Sequence, residues 1–144
     1  MRVRHNVRAV LLDGDQLVFL RRRWPGCLPY CTTVGGGVEP YDTDLESALR
    51  REVMEELGAT IGAPTEFLTL TEPGEKVTVV RHYFRAELLD MDLNRRGGPE
   101  PDDPDTGDFS PVRVAPAASA LASLELRPPE LVDYLCEHAR TWGV

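Results

Sequence analysis

Three glutamates near the middle of the chain carry the strongest chemical signal. Glu52, Glu55 and Glu56 are related as i, i+3 and i+4, so on a helix that turns about 100° per residue they share one arc about 100° wide. Like charges at this spacing oppose each other by roughly 0.2–0.5 kcal/mol per pair, which a solvated helix end tolerates. Repulsion alone therefore does not distinguish a charged helix end from a site that binds a cation.

The apolar residues of the same stretch do distinguish the two. Leu45 lies seven residues before Glu52 and Leu49 seven before Glu56, so one stripe of the helix changes from aliphatic to acidic. An acidic face in bulk solvent would lie opposite the apolar stripe, where Arg51 falls. The acids instead border the buried side, and clustered carboxylates there require a cation. Oxygen ligands of this kind suit Mg²⁺ or Mn²⁺.

A helix must position these acids, and the sequence predicts its bounds at about 44–57. Thr43 to Glu46 has the pattern of a capping box, in which the Thr43 side chain accepts from the third following amide and Glu46 reaches back. Gly58 follows the last apolar residue, where a left-handed residue ends many helices. Residues 24–44 are rich in glycine and proline, which predicts a mostly irregular stretch before the helix.

The rest of the pattern predicts strands on both sides of that helix. In chain order the predicted elements are a hairpin over 3–23, strands at 66–71, 76–89 and 111–115, and a helix over about 128–140. Residues 90–110 predict a long loop that is either disordered or covers a substrate. These elements are the frame in which the acidic helix would sit.

Length and charge limit the function classes. The chain has 144 residues and a net charge of −8, and we expect a single domain over residues 1–144 because this length buries a sizeable core. The negative charge disfavours broad nucleic-acid binding. No apolar run is long enough for a membrane span or a signal peptide, which predicts a cytoplasmic protein without membrane association. His5, His82 and His138 are isolated in sequence and are expected to be structural or surface residues.

The stretch from Arg51 to Ala59, REVMEELGA, resembles the second half of the signature box of the Nudix hydrolases. That box is written G-x5-E-x7-R-E-U-x-E-E-x-G-U, with U aliphatic, and its second half matches position by position. In the first half, direct counting places Gly37 and Thr43 at the leading glycine and the first glutamate. One inserted residue places Gly36 and Asp42 there instead, and we prefer it because Asp42 keeps the acid. The resemblance implies an α/β fold, a Nudix-type α/β/α sandwich with a mixed sheet.

The resemblance also implies a reaction, the hydrolysis of a pyrophosphate bond in a nucleoside diphosphate linked to another group, assisted by Mg²⁺ or Mn²⁺. By position, the implied metal ligands are Glu52, Glu55, Glu56 and Asp42. The implied catalytic residues are Glu52, Glu55 and Arg51, with Arg51 holding the glutamates in place. Which acid activates the water stays open, because an acid outside the box often completes such a site. The candidates in the later loop are Glu100, Asp105 and Asp108.

Substrate contacts are expected from Gly36 and Gly37, where backbone without side chains lets a phosphate approach closely, and from Arg23 at a strand end. For Arg23, a solvated strand end is an equal alternative. The implied partner is a small nucleotide-like molecule, and domains of this family are often homodimers. Two other classes of function are a silent Nudix fold that binds a nucleotide or sugar phosphate, and an acidic interaction domain. The latter does not explain why the acids continue the aliphatic stripe.

Overall fold

The computed structural model describes residues 2–96 and 108–142, and in these residues the chain forms eight strands and three α-helices. In chain order they are β1 (Arg2–Asp13), β2 (Gln16–Arg23), β3 (Tyr30–Thr32), β4 (Val34–Gly37), α1 (Leu45–Leu57), β5 (Ala59–Ile61), β6 (Thr65–Glu72), β7 (Val77–Met91), β8 (Asp108–Val114), α2 (Ala118–Ala122) and α3 (Pro129–His138). Short 3₁₀ turns at Leu93–Arg95 and Ala139–Thr141 follow β7 and α3. No helix of the described part is long and apolar enough to cross a membrane.

The backbone divides into two compact units. Described residues within Met1–Leu11 and Val34–Gly97 form the first unit, and those within Leu12–Thr33 and Gly98–Val144 form the second. The first unit therefore holds most of β1 together with β4, α1, β5, β6 and β7. The second holds β2, β3, β8, α2 and α3.

The first unit is built on antiparallel strand pairs. β1 pairs with β4, with Val7 directly opposite Gly36, and β7 pairs with both β5 and β6. α1 turns its aliphatic stripe inward, and its buried residues are Ala48, Leu49, Val53 and Leu57. Burial of this stripe orients α1, because each aliphatic side chain removed from water contributes roughly 1.5–3 kcal/mol. The acidic positions that continue the stripe are thereby carried to the edge of the core.

The ends of α1 follow from local chemistry. Its N-cap is Asp44 rather than Thr43, because the Asp44 carboxylate accepts from the Ser47 backbone N–H at 2.7 Å and also gains from the helix dipole. Thr43 Oγ1 lies 2.9 Å from the Ser47 hydroxyl, so the predicted capping box was wrong in its capping residue. Gly58 ends the helix at φ 60° and donates back into it, which confirms the predicted C-terminus.

In the second unit β2 lies between β3 and β8. Leu20 is opposite Thr32 on one side and opposite Pro111 on the other, in antiparallel register. The apolar residues buried in β2, α2 and α3 are Leu17, Val18, Phe19, Leu20, Leu121, Leu131 and Leu135. Leu131 and Leu135 form the buried face of α3.

Other boundaries differ from the sequence predictions where strand pairing is non-local. The glycines of β4 were predicted to lie in a loop, but they form a strand because β1 supplies their backbone partners. The predicted loop 90–110 is shorter at both ends, since β7 continues to Met91 and β8 begins at Asp108. β5 and α2 were not predicted, because three and five residues are too short for a periodic signal.

Candidate active site

Helix α1 brings Glu52 directly against strand β4. A Cβ built on Gly36 would lie 2.7 Å from the Cδ and both carboxylate oxygens of Glu52, so only glycine leaves room for the carboxylate in this position. Burial raises the pKa of Glu52; the nearby Arg51 opposes the shift, and the charges of Glu56 and Glu55 reinforce it. The site therefore holds a partly desolvated carboxylate whose charge a cation would favour.

Glu56 is held by the same glycine strand. Its Oε1 accepts a hydrogen bond from the Gly35 backbone N–H at 2.7 Å. Gly35 has φ 154°, and a Cβ there would overlap the backbone oxygen of Val7. Glycine is therefore required at this position, and its N–H donates to α1. Two of the three predicted acids thus lie against β4.

Arg51 connects the acids to the loop before α1. Its Nε and Nη2 donate to the two oxygens of Asp42 at 3.0 and 2.8 Å, and Nη2 also donates to Gly37 O at 3.1 Å. Its Nη1 contacts Glu52 at 3.0 Å and Glu55 at 3.3 Å. These bonds raise the pKa of Arg51, with Asp42 as the largest cause. A planar guanidinium suits this role because its donors point in fixed directions.

The Asp42 carboxylate is used as a partner for Arg51. Its side chain is only 4% exposed, and Oδ2 accepts a second hydrogen bond from the Glu39 N–H at 2.8 Å. Hydrogen bonds from Arg51 and Glu39 lower its pKa. The predicted metal ligand Asp42 thus lies behind Arg51 in this arrangement, where it positions the guanidinium that contacts Glu52 and Glu55.

The other predicted residues are distributed more widely. Gly37 contacts Arg51 through its carbonyl, whereas Arg23 lies in the second unit, exposed at the end of β2. Asp108 begins β8, but its side chain is outside the described part of the structure. Glu100 and Asp105 also lie outside the described residues. The choice among these three acids therefore stays open.

The three glutamates of α1 have donor atoms suited to a divalent cation. Glu52, Glu55 and Glu56 offer carboxylate oxygens of the kind that Mg²⁺ and Mn²⁺ prefer. Burial is the main cause of the raised pKa of Glu52, and a bound cation would favour its charged form. In residues 2–96 and 108–142, however, no three acidic, histidine or cysteine side chains form a ready metal cluster. The chemistry of the donors fits a cation, with Arg51 contacting two of the three acids in this arrangement.

Sequence reasoning missed a second polar cluster in the first unit. His5 of β1 contacts His82 of β7, and His82 contacts Glu66 of β6. Because 77 residues separate the two histidines, no local pattern connects them. Only the strand pairing brings His5 and His82 together.

Comparison with known proteins identifies the family. The family model of the NUDIX domain matches residues 2–135 of the chain. The chain belongs to the Nudix family. No curated protein sequence matches this Nudix chain. The match confirms the family resemblance carried by Arg51 to Ala59.

Solved structures share the Nudix fold with this chain at low sequence identity. A NUDIX hydrolase from Nitrosomonas europaea has a TM-score of 0.69 and 19% identity, covering 96% of this chain and 89% of that one. The E. coli ORF135 protein has a TM-score of 0.64 and 22% identity, covering 99% of this chain and 96% of that one. A MutT NUDIX hydrolase from Burkholderia pseudomallei has a TM-score of 0.62 and 19% identity, covering 95% of this chain and 98% of that one. These similarities confirm the α/β fold with a mixed sheet, in which α1 carries the Nudix box.

Proposed function

We propose that this Nudix chain, as a single domain, hydrolyses a pyrophosphate bond in a nucleotide-like small molecule with the help of Mg²⁺ or Mn²⁺. The observation that supports this most directly is the seating of the Nudix helix on the glycine strand. Glu52 occupies the space that Gly36 leaves open, and Glu56 accepts from the Gly35 N–H. A merely solvated acidic helix end would need neither contact.

Each residue has a distinct role in this proposal. Glu52, Glu55 and Glu56 would hold the divalent cations, which when bound neutralise phosphate charge and make water more acidic. Arg51 orients Glu52 and Glu55, while Asp42 orients Arg51 through two hydrogen bonds. Small errors matter here, because a misplacement of about 1 Å can cost roughly 100-fold in rate.

The glycines of β4 serve the same site in two ways. Gly36 leaves space for a carboxylate, and the carbonyl of Gly37 fixes one arm of Arg51. Backbone without side chains also permits a phosphate to come close. The strand therefore supports the acids and leaves room for the substrate beside them.

A second candidate is a silent Nudix fold that binds a nucleotide or sugar phosphate without hydrolysing it. The observation that favours it is the engagement of Glu52 and Glu55 by Arg51. If Arg51 keeps these two carboxylates when a cation is offered, ligands can bind but the metal-dependent reaction cannot proceed. Assembly as a homodimer stays a prediction for either function.

A substrate panel with matched glutamate variants separates these functions. The purified protein is given Mg²⁺ or Mn²⁺ with nucleoside triphosphates, dinucleoside polyphosphates and nucleotide sugars, and release of phosphate or pyrophosphate is measured. We expect Glu55→Gln and Glu56→Gln to lower kcat at least roughly 100-fold, since a lost ligand charge removes several kcal/mol of transition-state stabilisation. Melting temperatures should change little.

Glu46→Gln is the matched control, because Glu46 lies on the same helix but is half exposed and pairs only with Arg50 among its described ion-pair partners. Its activity should equal that of the wild type. Ligand-induced thermal shifts without turnover would establish the silent binding fold instead. If neither turnover nor ligand-induced shifts were found with any substrate, both candidates would be rejected in favour of an acidic interaction domain.

A further inference from the structure

A chain of hydrogen bonds runs across three strands of the first unit. Thr69 Oγ1 donates to Glu66 Oε2 at 2.7 Å, and the same oxygen lies 2.9 Å from His82 Nδ1. His82 Nε2 lies 3.0 Å from His5 Nδ1. His82 is 14% exposed and Glu66 34% exposed, whereas His5 lies at the exposed end. We call Glu66, His82 and His5 the histidine relay.

The contact between the two histidines is a well-directed hydrogen bond. A ring nitrogen lies about 1.1 Å from the centre of a five-membered ring whose bonds are about 1.33 Å long. Two such radii and the 3.0 Å N–N distance account for the whole 5.3 Å between the ring centroids of His5 and His82. Both nitrogens therefore lie on the line between the rings, so the N–H of one points at the lone pair of the other.

The carboxylate fixes where the protons of the neutral relay lie. Glu66 Oε2 accepts from the Thr69 hydroxyl. Burial raises the pKa of Glu66, but the hydrogen bonds from Thr69 and His82 and the charge attraction of His82 outweigh it and lower the pKa overall. When both imidazoles are neutral, the proton between His82 and Glu66 lies on His82 Nδ1, which leaves His82 Nε2 as a lone pair. That lone pair accepts the Nδ1–H of His5, so His5 Nε2 is itself a bare acceptor. Among the described residues, none forms a hydrogen bond or ion pair with His5 Nε2.

The register of β1 places His5 on the side of the sheet that carries the Nudix helix. Val7 and Gly36 are directly opposite and so face the same side. Gly36 faces Glu52 of α1 on that side. His5 is two residues from Val7, which returns its side chain to the same face about 6.7 Å along the strand. Val3, which is 52% exposed, also lies on this face.

We propose that His5 Nε2 accepts a hydrogen bond from the nucleobase of the substrate. It thereby selects a base with an exocyclic amino group, cytosine or adenine, over its oxo counterpart. This inference rests on the proposed nucleotide-like substrate. An acceptor favours the amino N–H, whereas an oxo group at the same position would face it lone pair to lone pair. Val3, which is 52% exposed, flanks His5 with apolar surface suited to a planar ring.

Glu66 acts on this selection through His82 and His5 as a positioning residue. Replacement by lysine puts a donor where the acceptor was, so His82 Nδ1 must accept instead of donate. His82 then donates to His5 Nδ1, and His5 carries its proton on Nε2. The relay is thereby inverted, and the group presented to the base changes from acceptor to donor.

The test compares CTP with UTP and ATP with ITP, two matched pairs that exchange the amino group for an oxo group. We expect the wild type to favour the amino member of each pair by about tenfold or more in kcat/KM, mainly through KM. His5→Leu should abolish the preference and Glu66→Lys should reverse it. Glu72 lies on the same strand and pairs with Arg81. Glu72→Lys is therefore the charge-matched control and should leave the preference unchanged.

A second measurement keeps the inference separate from the proposed hydrolysis. Binding of non-hydrolysable α,β-methylene analogues of the same four nucleotides is measured by calorimetry in the presence of Mg²⁺. Preferential binding without turnover would support the relay and reject the hydrolase. Turnover with equal kcat/KM within each pair, or a preference that survives His5→Leu, would overturn the relay.

Folding of Glu66→Lys is checked by its melting temperature. If that variant fails to fold, nitrogen chemical shifts of the imidazoles in the wild type replace it. A protonated Nε2 on neutral His5 would overturn the inference, and a bare Nε2 would support it. If no nucleotide bound at all, both proposals would fail together.

Discussion

Substitution of Gly36 by alanine is expected to remove activity while leaving the fold intact. The new Cβ would lie 2.7 Å from the carboxylate atoms of Glu52, whereas carbon atoms in ordinary contact lie about 3.5–4.0 Å apart. The carboxylate must therefore retreat by about 1 Å. It can do so because it is the far end of a flexible side chain, so the protein is not forced to unfold.

The size of the effect follows from that displacement. A shift of about 1 Å in a catalytic group costs roughly 100-fold in rate, and we expect a loss of that order in kcat. Stability should not fall, because Gly36 does not have a positive φ and alanine lowers the entropy of the unfolded chain relative to glycine. The melting temperature should therefore equal or slightly exceed that of the wild type.

The neighbouring glycines provide controls in the same strand. A Cβ on Gly37 would lie 3.5 Å from the flexible end of Arg4, an ordinary contact, so Gly37→Ala should keep the wild-type stability and lose less activity than Gly36→Ala, because it does not displace Glu52. Gly35→Ala should instead destabilise the protein by about 2–4 kcal/mol, because φ is 154° and the Cβ would meet backbone atoms of Val7. That corresponds to a melting temperature lower by roughly 6–12 °C.

The assay is pyrophosphate-bond hydrolysis with Mg²⁺ alongside thermal denaturation of all three variants. The reasoning requires an unstable Gly35→Ala, a stable but inactive Gly36→Ala, and a stable Gly37→Ala that keeps more activity than Gly36→Ala. Full activity in Gly36→Ala would refute it, because the carboxylate position would then not matter. An equal loss in Gly37→Ala would also refute it, because the effect would then belong to the strand as a whole.

Three further outcomes can be measured with standard assays. Arg51→Lys should lower kcat roughly 10–100-fold, because one ammonium cannot reproduce the fork that holds Asp42 and the glutamates; rates like those of the wild type would contradict this. The backbone N–H of Ser47 lowers the pKa of Asp44 below 3.8, so its stabilisation is complete above about pH 5 and is lost as pH falls through the folded-state pKa. The melting-temperature gap between wild type and Asp44→Ala should thus narrow from pH 7 to pH 3, and a gap that widened would reverse the assigned sign. Leu49→Ala, at a fully buried position, should cost about 2–5 kcal/mol in chemical denaturation, and a cost below about 1 kcal/mol would show that the stripe is not well packed.

The sequence predicted the parts of the site that depend on local periodicity. Spacing alone placed Glu52, Glu55 and Glu56 on one face, and Gly58 ended the helix because a positive φ is easiest for glycine. The cap was wrong by one residue because Thr43 and Asp44 are adjacent and both are good caps. The choice between them depends on which side chain reaches the Ser47 amide, which is a matter of tertiary geometry.

The parts that depend on strand pairing could not be predicted from the sequence. Nothing in the glycine run indicates a strand, because glycine disfavours strands and β4 exists through its pairing with β1. The bond between His5 and His82 arises in the same way. Asp42 was matched to the family by its acidity, but its use as a partner for Arg51 required the path of the loop.

The guanidinium of Arg51 holds its neighbours through two edges that can act independently. Nε and Nη2 bind Asp42 and the Gly37 carbonyl, whereas Nη1 alone contacts Glu52 and Glu55. The first edge fixes the position of the guanidinium, and the second edge contacts the glutamates without being needed to hold Arg51 in place. If the proposed cation binds, Glu52 and Glu55 would leave Nη1 while Arg51 keeps its bonds to Asp42 and Gly37. Binding would then require two side chains to rotate and no shift of α1.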